Sequence, residues 1–350
     1  MARISNTRII RAKGVGKGED FSEENFKTET VEFDSTLKDG EILVRNLYIS
    51  LDPFIRLGFE GQDPKTSPYL NQTVAAVGIS EVIDSKDLAF PVSSIVLGLR
   101  IGWEQYTLLK DSNALFVLPY DPKKGDLNKL PLMEYSNALG IQGLTSFAAV
   151  KATIGSFKKD QVVFISSAAG PVGGFFALYA KHQGAFVIGS AGSDDKVQYL
   201  LNDLHLDAAF NYKTQDMRTE LQRLAPSGRL DVYVDTVGGE TLDIAMEHLK
   251  DKSHILVIGN MAEANSKTPY VPKNWKMVIS KSLTLHGFTA FHHFDKFPQL
   301  WEEIGPLIES GKWKSQKNTV EEGLESAPKT FVDYLRGKYH GKVMIKVSDL

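Results

Sequence analysis

The chain has no cysteine among its 350 residues. That absence excludes disulfides, thiolate nucleophiles and every zinc site that needs sulfur ligands. It suits a reducing compartment, and the cytosol is the default expectation. An excess of one charge is also missing, since 40 basic residues stand against 43 acidic ones. With no long Lys/Arg block to follow a phosphate backbone or an anionic bilayer, neither nucleic acid nor a membrane is expected as a partner. No apolar run reaches the roughly 18–20 residues of a spanning helix. The start, MARISNTRIIRAKG, lacks the apolar centre of a secretory signal. Its basic, Ser-containing composition is also that of a transit peptide, but TRIIRAK reads better as a first strand. Internal repeats and low-complexity tracts are absent from the sequence.

What is present fits a globular protein that is 42% hydrophobic and longer than one core usually supports, so two domains are expected. Up to about residue 130 the segments are short and β-branched, as in EILVRNLYISLD (41–52), TVAAVGISEVI (73–83) and SSIVLGL (93–99), with turn residues between them. From about residue 131 short apolar runs alternate with helical periods. QVVFIS, AFVIGS, DVYVDTV, HILVIG and SLTLHGF read as parallel strands covered on both faces; GGFFALYAKHQ, KVQYLLNDL and ETLDIAMEHLK carry apolar residues at helical spacing. The pattern predicts an α/β chain with a β-rich domain and a doubly wound parallel sheet. A closing strand, KVMIKV, follows after that sheet has finished and is free to return to the first domain.

The most informative stretch is FISSAAGPVGG (164–174). Ala168, Gly170 and Gly173 form AxGxxG after a strand and before a helix. In that context Gly170 admits a pyrophosphate to the backbone, and Gly173 brings helix and strand close together. Pro171 suits the first helical turn, where its missing N–H costs nothing. After the next strand come Gly192 and Ser193; Ser193 reads as a helix N-cap with Asp194 and Asp195 behind it. Lys196 is then either a ligand of a ribose 2′-phosphate or a solvated helix residue, and spacing alone does not choose.

Other chemistry is poorly supported. The eight histidines show no HExxH or comparable ligand spacing, and the adjacent His292 and His293 read as loop residues, so no metal site is expected. There is no GxSxG. NLYISLDPFIRLG (46–58) sets Tyr48, Asp52, Pro53 and Arg56 beside an apolar strand, as either a salt-bridged turn or the lining of a cleft.

The ordered set NLYISLDPFIR, GWEQY, GIQGLTSF, SSAAGPVGG, GSAGSDDK, FNYK, DTVGG and GKVMIKV resembles the zinc-independent medium-chain dehydrogenase/reductase superfamily, and within it the prostaglandin reductase and alkenal double-bond reductase group. The resemblance covers nearly the whole chain. It implies a GroES-like β domain over residues 1–130 with a C-terminal return over 316–350, and a Rossmann NADPH-binding domain over 131–315. It also implies that Lys196 and Tyr212 bind the 2′-phosphate, with Gly192 and Ser193 beside them, and that Ala168, Gly170, Pro171, Val172 and Gly173 take the pyrophosphate. Thr145, Gly259, Phe288 and Thr289 are then expected near the nicotinamide. Three positions depart from the family pattern: Thr236 and Tyr339 stand where relatives carry Asn at the cofactor, and Ala264 stands where a Tyr often discussed as catalytic is found.

The implied reaction is NADPH-dependent reduction of the C=C bond of an α,β-unsaturated aldehyde or ketone, with hydride delivered to the β-carbon. The resulting enolate needs hydrogen-bond donors at its oxygen and a proton at the α-carbon. Tyr48 is the first candidate donor and Tyr270 the second; solvent or a ribose hydroxyl of the cofactor are others. Quinone reduction uses the same cofactor site without a dedicated acid, and a non-catalytic NADPH-binding protein is the reading from a different class. A homodimer is expected from the resemblance alone.

Overall fold

The computed structural model describes residues 3–16, 18–59, 69–123, 129–225, 229–263, 266 and 268–350. Ala264 lies outside them. The chain divides into two compact units, one of Met1–Ser136 with Asn318–Leu350, the other of Asn137–Lys317.

The first unit opens with the antiparallel hairpin β1 (Arg3–Arg11) and β2 (Phe26–Asp34). Strands β3 (Ile42–Ser50), β4 (Ala75–Ser85), β5 (Ile95–Gly102), β6 (Tyr106–Leu109) and β7 (Leu115–Val117) follow. Between β3 and β4 a short 3-10 turn, Pro53–Gly58, starts on the proline that follows Asp52.

The second unit begins with α1 (Ile141–Thr153) and alternates as β8 (Val162–Ile165), α2 (Pro171–His182), β9 (Phe186–Ala191), α3 (Asp194–Gln198), β10 (Ala208–Asn211), α4 (Met217–Leu224), β11 (Leu230–Asp235), α5 (Gly239–His248), β12 (Leu249–Val257), α6 (Lys276–Ser280), β13 (Thr284–Gly287) and α7 (Phe297–Glu309). Its six strands are all parallel, in the order β10-β9-β8-β11-β12-β13. This is the doubly wound order of a dinucleotide-binding fold, with the reversal between β8 and β11. Every residue of β8 is buried, as a central strand covered on both faces requires. The apolar pattern yields five of these strands; the sixth, β10, reads Ala-Ala-Phe-Asn and has too few β-branched residues to announce itself.

The chain then returns to the first unit through β14 (Asn318–Glu322), α8 (Ala327–Leu335) and β15 (Lys342–Lys346). There β15 pairs antiparallel with β3, completing a seven-stranded sheet of order β14-β15-β3-β4-β5-β7 with β6 also on β3. Its core packs Phe21, Phe26, Phe59, Trp103 and Phe331 together, and the Phe26 ring lies parallel to Trp103 at 5.5 Å.

The junction of β15 with β3 also holds a buried charge pair. Lys342, fully buried, sets its ammonium 2.9 Å from Asp52 Oδ1, and Ser50 Oγ bonds to both groups. Arg56 donates to the Glu19 carbonyl at 3.1 Å and lies over the Phe21 ring. Asp52 and Arg56 are thus structural partners of the C-terminal strand and of the loop before β2. Among the described residues, no helix is long and apolar enough to cross a membrane.

Candidate nucleotide-binding and active site

In a parallel sheet all carboxyl ends lie on one edge, and the reversal of strand order leaves a crevice there for ligands. The register aligns Ile165 with Gly189 and Val234, Ala191 with Asn211, Asp235 with Val257, and Val257 with Gly287. The residues singled out from the sequence follow these ends directly: Ala168 to Gly173 after β8, Gly192 and Ser193 after β9, Tyr212 after β10, Thr236 after β11, Gly259 after β12, and Phe288 and Thr289 after β13.

The loop after β8 is fixed by backbone bonds. Ala168 N donates to Ser190 O at 3.0 Å, and Gly170 N to Ser167 O at 3.0 Å. Gly170 is the extended N-cap of α2, Pro171 occupies the first turn, and Gly174 N closes onto Gly170 O at 2.8 Å. The N–H groups of Val172 and Gly173 therefore fall in the first helical turn, which has no carbonyls of its own to bond and where the helix dipole favours an anion. The two outer glycines differ. A Cβ at Gly173 would sit 2.6 Å from Ser167 O and 2.9 Å from Ala168 Cα, whereas one at Gly170 would meet nothing closer than Ser167 O at 3.4 Å. Gly173 is a packing glycine, and Gly170 leaves space above the loop.

At the end of β9, Ser193 caps α3 by accepting from Lys196 N at 3.4 Å. The Tyr212 ring covers Gly192, where a Cβ would lie 3.0 Å from its hydroxyl and 3.3 Å from Lys213 Cε. Tyr212 is half exposed, and its N–H donates to Ala191 O at 3.1 Å. Burial lowers the pKa of the Lys196 ammonium, and the neighbouring Lys213 lowers it further. This notch, formed by glycine backbone, a phenol and two ammonium groups, suits a phosphomonoester on a ribose. Lys213 escaped the sequence reading although it stands next to Tyr212 in FNYK.

Farther along the edge, Thr236 Oγ1 donates to Ser166 O at 2.8 Å and Thr236 N to Ser166 Oγ at 3.0 Å, tying β11 to β8. Tyr233 donates to Asp235 Oδ1 at 2.8 Å, and the N–H groups of Val237 and Gly238 reach the same oxygen at 3.0 and 2.7 Å. Burial still holds the Asp235 carboxyl above the usual range. A Cβ at Gly259 would sit 2.9 Å from Thr236 O, so this position also requires glycine. Phe288 stacks on His293 with centroids 4.7 Å apart, and Thr289 precedes the turn Ala290–His292. Thr145, on α1, bonds its hydroxyl back to Ile141 O at 2.7 Å, while its neighbour Ser146 reaches Val172 O at 3.0 Å and joins α1 to α2.

The two candidate tyrosines differ sharply. Tyr270 donates its hydroxyl to the buried Asp243 carboxylate at 2.8 Å, and Lys273 N reaches the same oxygen at 2.7 Å. Desolvation and then Asp243 push its pKa to about 12. Tyr270 is an anchor for its loop, and its proton is committed. Tyr48, on β3 in the first unit, is opposite Ile79 on β4 and Lys346 on β15. Burial raises its pKa and so favours the protonated phenol, an effect partly opposed by Lys346. Tyr339 also belongs to the first unit, where its ring packs on the core and burial raises its pKa.

Among the described residues no three of His, Asp and Glu gather as metal ligands. Two histidines do meet: His254 Nδ1 lies 3.1 Å from His286 Nε2 across β12 and β13.

Two family models match the chain, "Zinc-binding dehydrogenase" over residues 171–305 and "N-terminal domain of oxidoreductase" over residues 12–117. The chain belongs to the medium-chain dehydrogenase/reductase superfamily, in its alkenal reductase group. It is 34% identical over 313 residues to (+)-pulegone reductase of Mentha piperita, covering 89% of each chain. It is 32% identical over 350 residues to the NADP(+)-dependent 2-alkenal reductase of Nicotiana tabacum, covering 99% of this chain and 98% of that one. The crystal structure of CurA from Vibrio vulnificus in complex with NADPH superposes with a TM-score of 0.82 at 23% identity, over 98% of this chain and 100% of that one. At that identity the likeness speaks for the fold.

Proposed function

We propose that this chain is an NADPH-dependent oxidoreductase that reduces the C=C bond of α,β-unsaturated aldehydes and ketones. The observation that carries the proposal is the row of nucleotide-type residues following consecutive strand ends, with room for an added group at Gly170 and cations beside Tyr212. The relatives named for pulegone and alkenal reduction supply the substrate class. NADPH, when bound, supplies the hydride that adds to the β-carbon.

The chain's own residues bind and orient. The N–H groups of Val172 and Gly173 and the first turn of α2 hold the pyrophosphate; Lys196 and Tyr212, beside Gly192 and Ser193, hold the 2′-phosphate. Thr145, Thr236, Gly259, Phe288 and Thr289 line the nicotinamide end, and Tyr339 contributes to cofactor binding. Tyr48 donates a hydrogen bond to the enolate oxygen, and its burial-raised pKa suits a donor that stays protonated. The first unit is the substrate domain and the second the NADPH-binding domain. The reaction needs no zinc, consistent with the lack of cysteine ligands. The protein works in the cytoplasm, as a homodimer.

The test measures cofactor consumption with an enal, an enone and a quinone, using NADPH and NADH side by side. Turnover of enal and enone with NADPH is expected. Turnover of the quinone alone, or tight NADPH binding with no turnover on any of them, overturns the proposal.

A further inference from the structure

The notch after β9 brings a second lysine beside the capped helix and the tyrosine. Lys213 stands directly after Tyr212, and its Cε lies 3.3 Å from the point a Gly192 Cβ would occupy, close to the Tyr212 hydroxyl at 3.0 Å from the same point. Its backbone is held in place: Lys213 N donates to Asn211 Oδ1 at 3.1 Å, and Asn211 Nδ2 donates to Asp194 Oδ1 at 2.7 Å in the first turn of α3. The buried Asn211 therefore fixes the end of β10 to the start of the helix that carries Lys196. Through that link two ammonium-bearing side chains are kept near each other, and Asp194 Oδ1 accepts from the Asn211 amide. Among the described residues no salt bridge to Lys213 is formed. Burial and the charge of Lys213 both lower the Lys196 pKa, and a dianion set between the two ammonium groups is attracted by both.

We propose that Lys213 is a second cation for the 2′-phosphate and a determinant of the preference for NADPH over NADH. The inference rests on the NADPH reading above. A phosphomonoester carries between one and two negative charges near neutral pH, so one lysine leaves it incompletely neutralised and two complete it. NADH presents a hydroxyl at this place and gains nothing from the second lysine.

The experiment compares NADPH and NADH binding to the wild type, K213A, K213Q and K196A/K213A at two salt concentrations. In K213A the Kd for NADPH is expected to rise about tenfold, about 1.4 kcal/mol, with the Kd for NADH unchanged and a weaker salt dependence for NADPH. The double variant is expected to bind the two cofactors nearly alike. Because Lys213 is exposed, both single variants should fold, and K213Q serves as a second measure if K213A does not. A wild type that binds NADH as tightly as NADPH overturns the NADPH reading itself. A wild type that prefers NADPH while K213A and K213Q keep the full preference, or weaken both cofactors equally, overturns the role of Lys213 alone.

Discussion

The two glycines of the loop after β8 give separable predictions. In Gly173→Ala the new Cβ meets backbone atoms, Ser167 O at 2.6 Å and Ala168 Cα at 2.9 Å, where no side chain can swing away. The helix must move off the loop, and such overpacking costs about 1–3 kcal/mol. Alanine recovers about 0.5–1 kcal/mol of that through its helix propensity. The net expectation is a loss of up to about 2.5 kcal/mol, centred on about 1, or a few degrees in the melting of a unit of this size. In Gly170→Ala the Cβ meets only ordinary contacts and the backbone angle, φ −83°, suits alanine, so stability should be unchanged. That methyl group occupies the space assigned to the pyrophosphate, so NADPH affinity should fall about tenfold, about 1.4 kcal/mol. Thermal unfolding of the free protein and cofactor titration of each variant read the two effects separately. A Gly173→Ala protein as stable as wild type refutes the packing argument, and a Gly170→Ala protein that binds NADPH normally refutes the phosphate cradle.

Lys342→Met leaves Asp52 buried without its cation and should cost about 3–5 kcal/mol in denaturant unfolding, whereas the double change Lys342→Met with Asp52→Leu should recover much of it. The His254–His286 contact gives a pH dependence. Burial and then His254 depress the His286 pKa below its unfolded value near 6.5, so its contribution is complete above that pH and is lost as the pH falls through the folded pKa. Urea midpoints should drop between pH 7.5 and 5.5, and drop less in His254→Leu; a midpoint that rises on acidification contradicts the assignment. Tyr270→Phe should keep enone reduction within about twofold while losing about 1 kcal/mol of stability, because only the bond to Asp243 disappears. Tyr48→Phe should lose at least tenfold in kcat with folding unchanged, about 1.4 kcal/mol of barrier; full enone reduction with unaltered kinetics removes Tyr48 from the mechanism.

The parallel sheet was legible because its strands are buried on both faces, and runs such as VVFI and VYVD carry that burial in composition alone. Local rules also carried the start of α2, where Pro171 follows an extended Gly170, and the cap of α3, where Ser193 bonds to Lys196 N. Strands whose residues do not advertise burial were not legible: β10 is half alanine, and β14 is Asn-Thr-Val-Glu-Glu, only partly buried along its length. Each is specified by its neighbour in the sheet, which a linear pattern does not contain.

The same reason separates the functional residues that pattern could find from those it could not. A glycine loop or an N-cap is a relation among residues a few positions apart. Asp52 and Lys342 are far apart in the chain, as are His254 and His286, and each pair is brought together by strand pairing between β3 and β15 or between β12 and β13. Even Lys196 and Lys213, much nearer in sequence, face each other only because β9 and β10 run parallel and Ala191 is in register with Asn211. Spacing left Lys196 undecided between ligand and solvated residue. A second ammonium across the same notch changes the terms: burial and that like charge both lower the Lys196 pKa, and a phosphate ligand is attracted by both ammonium groups.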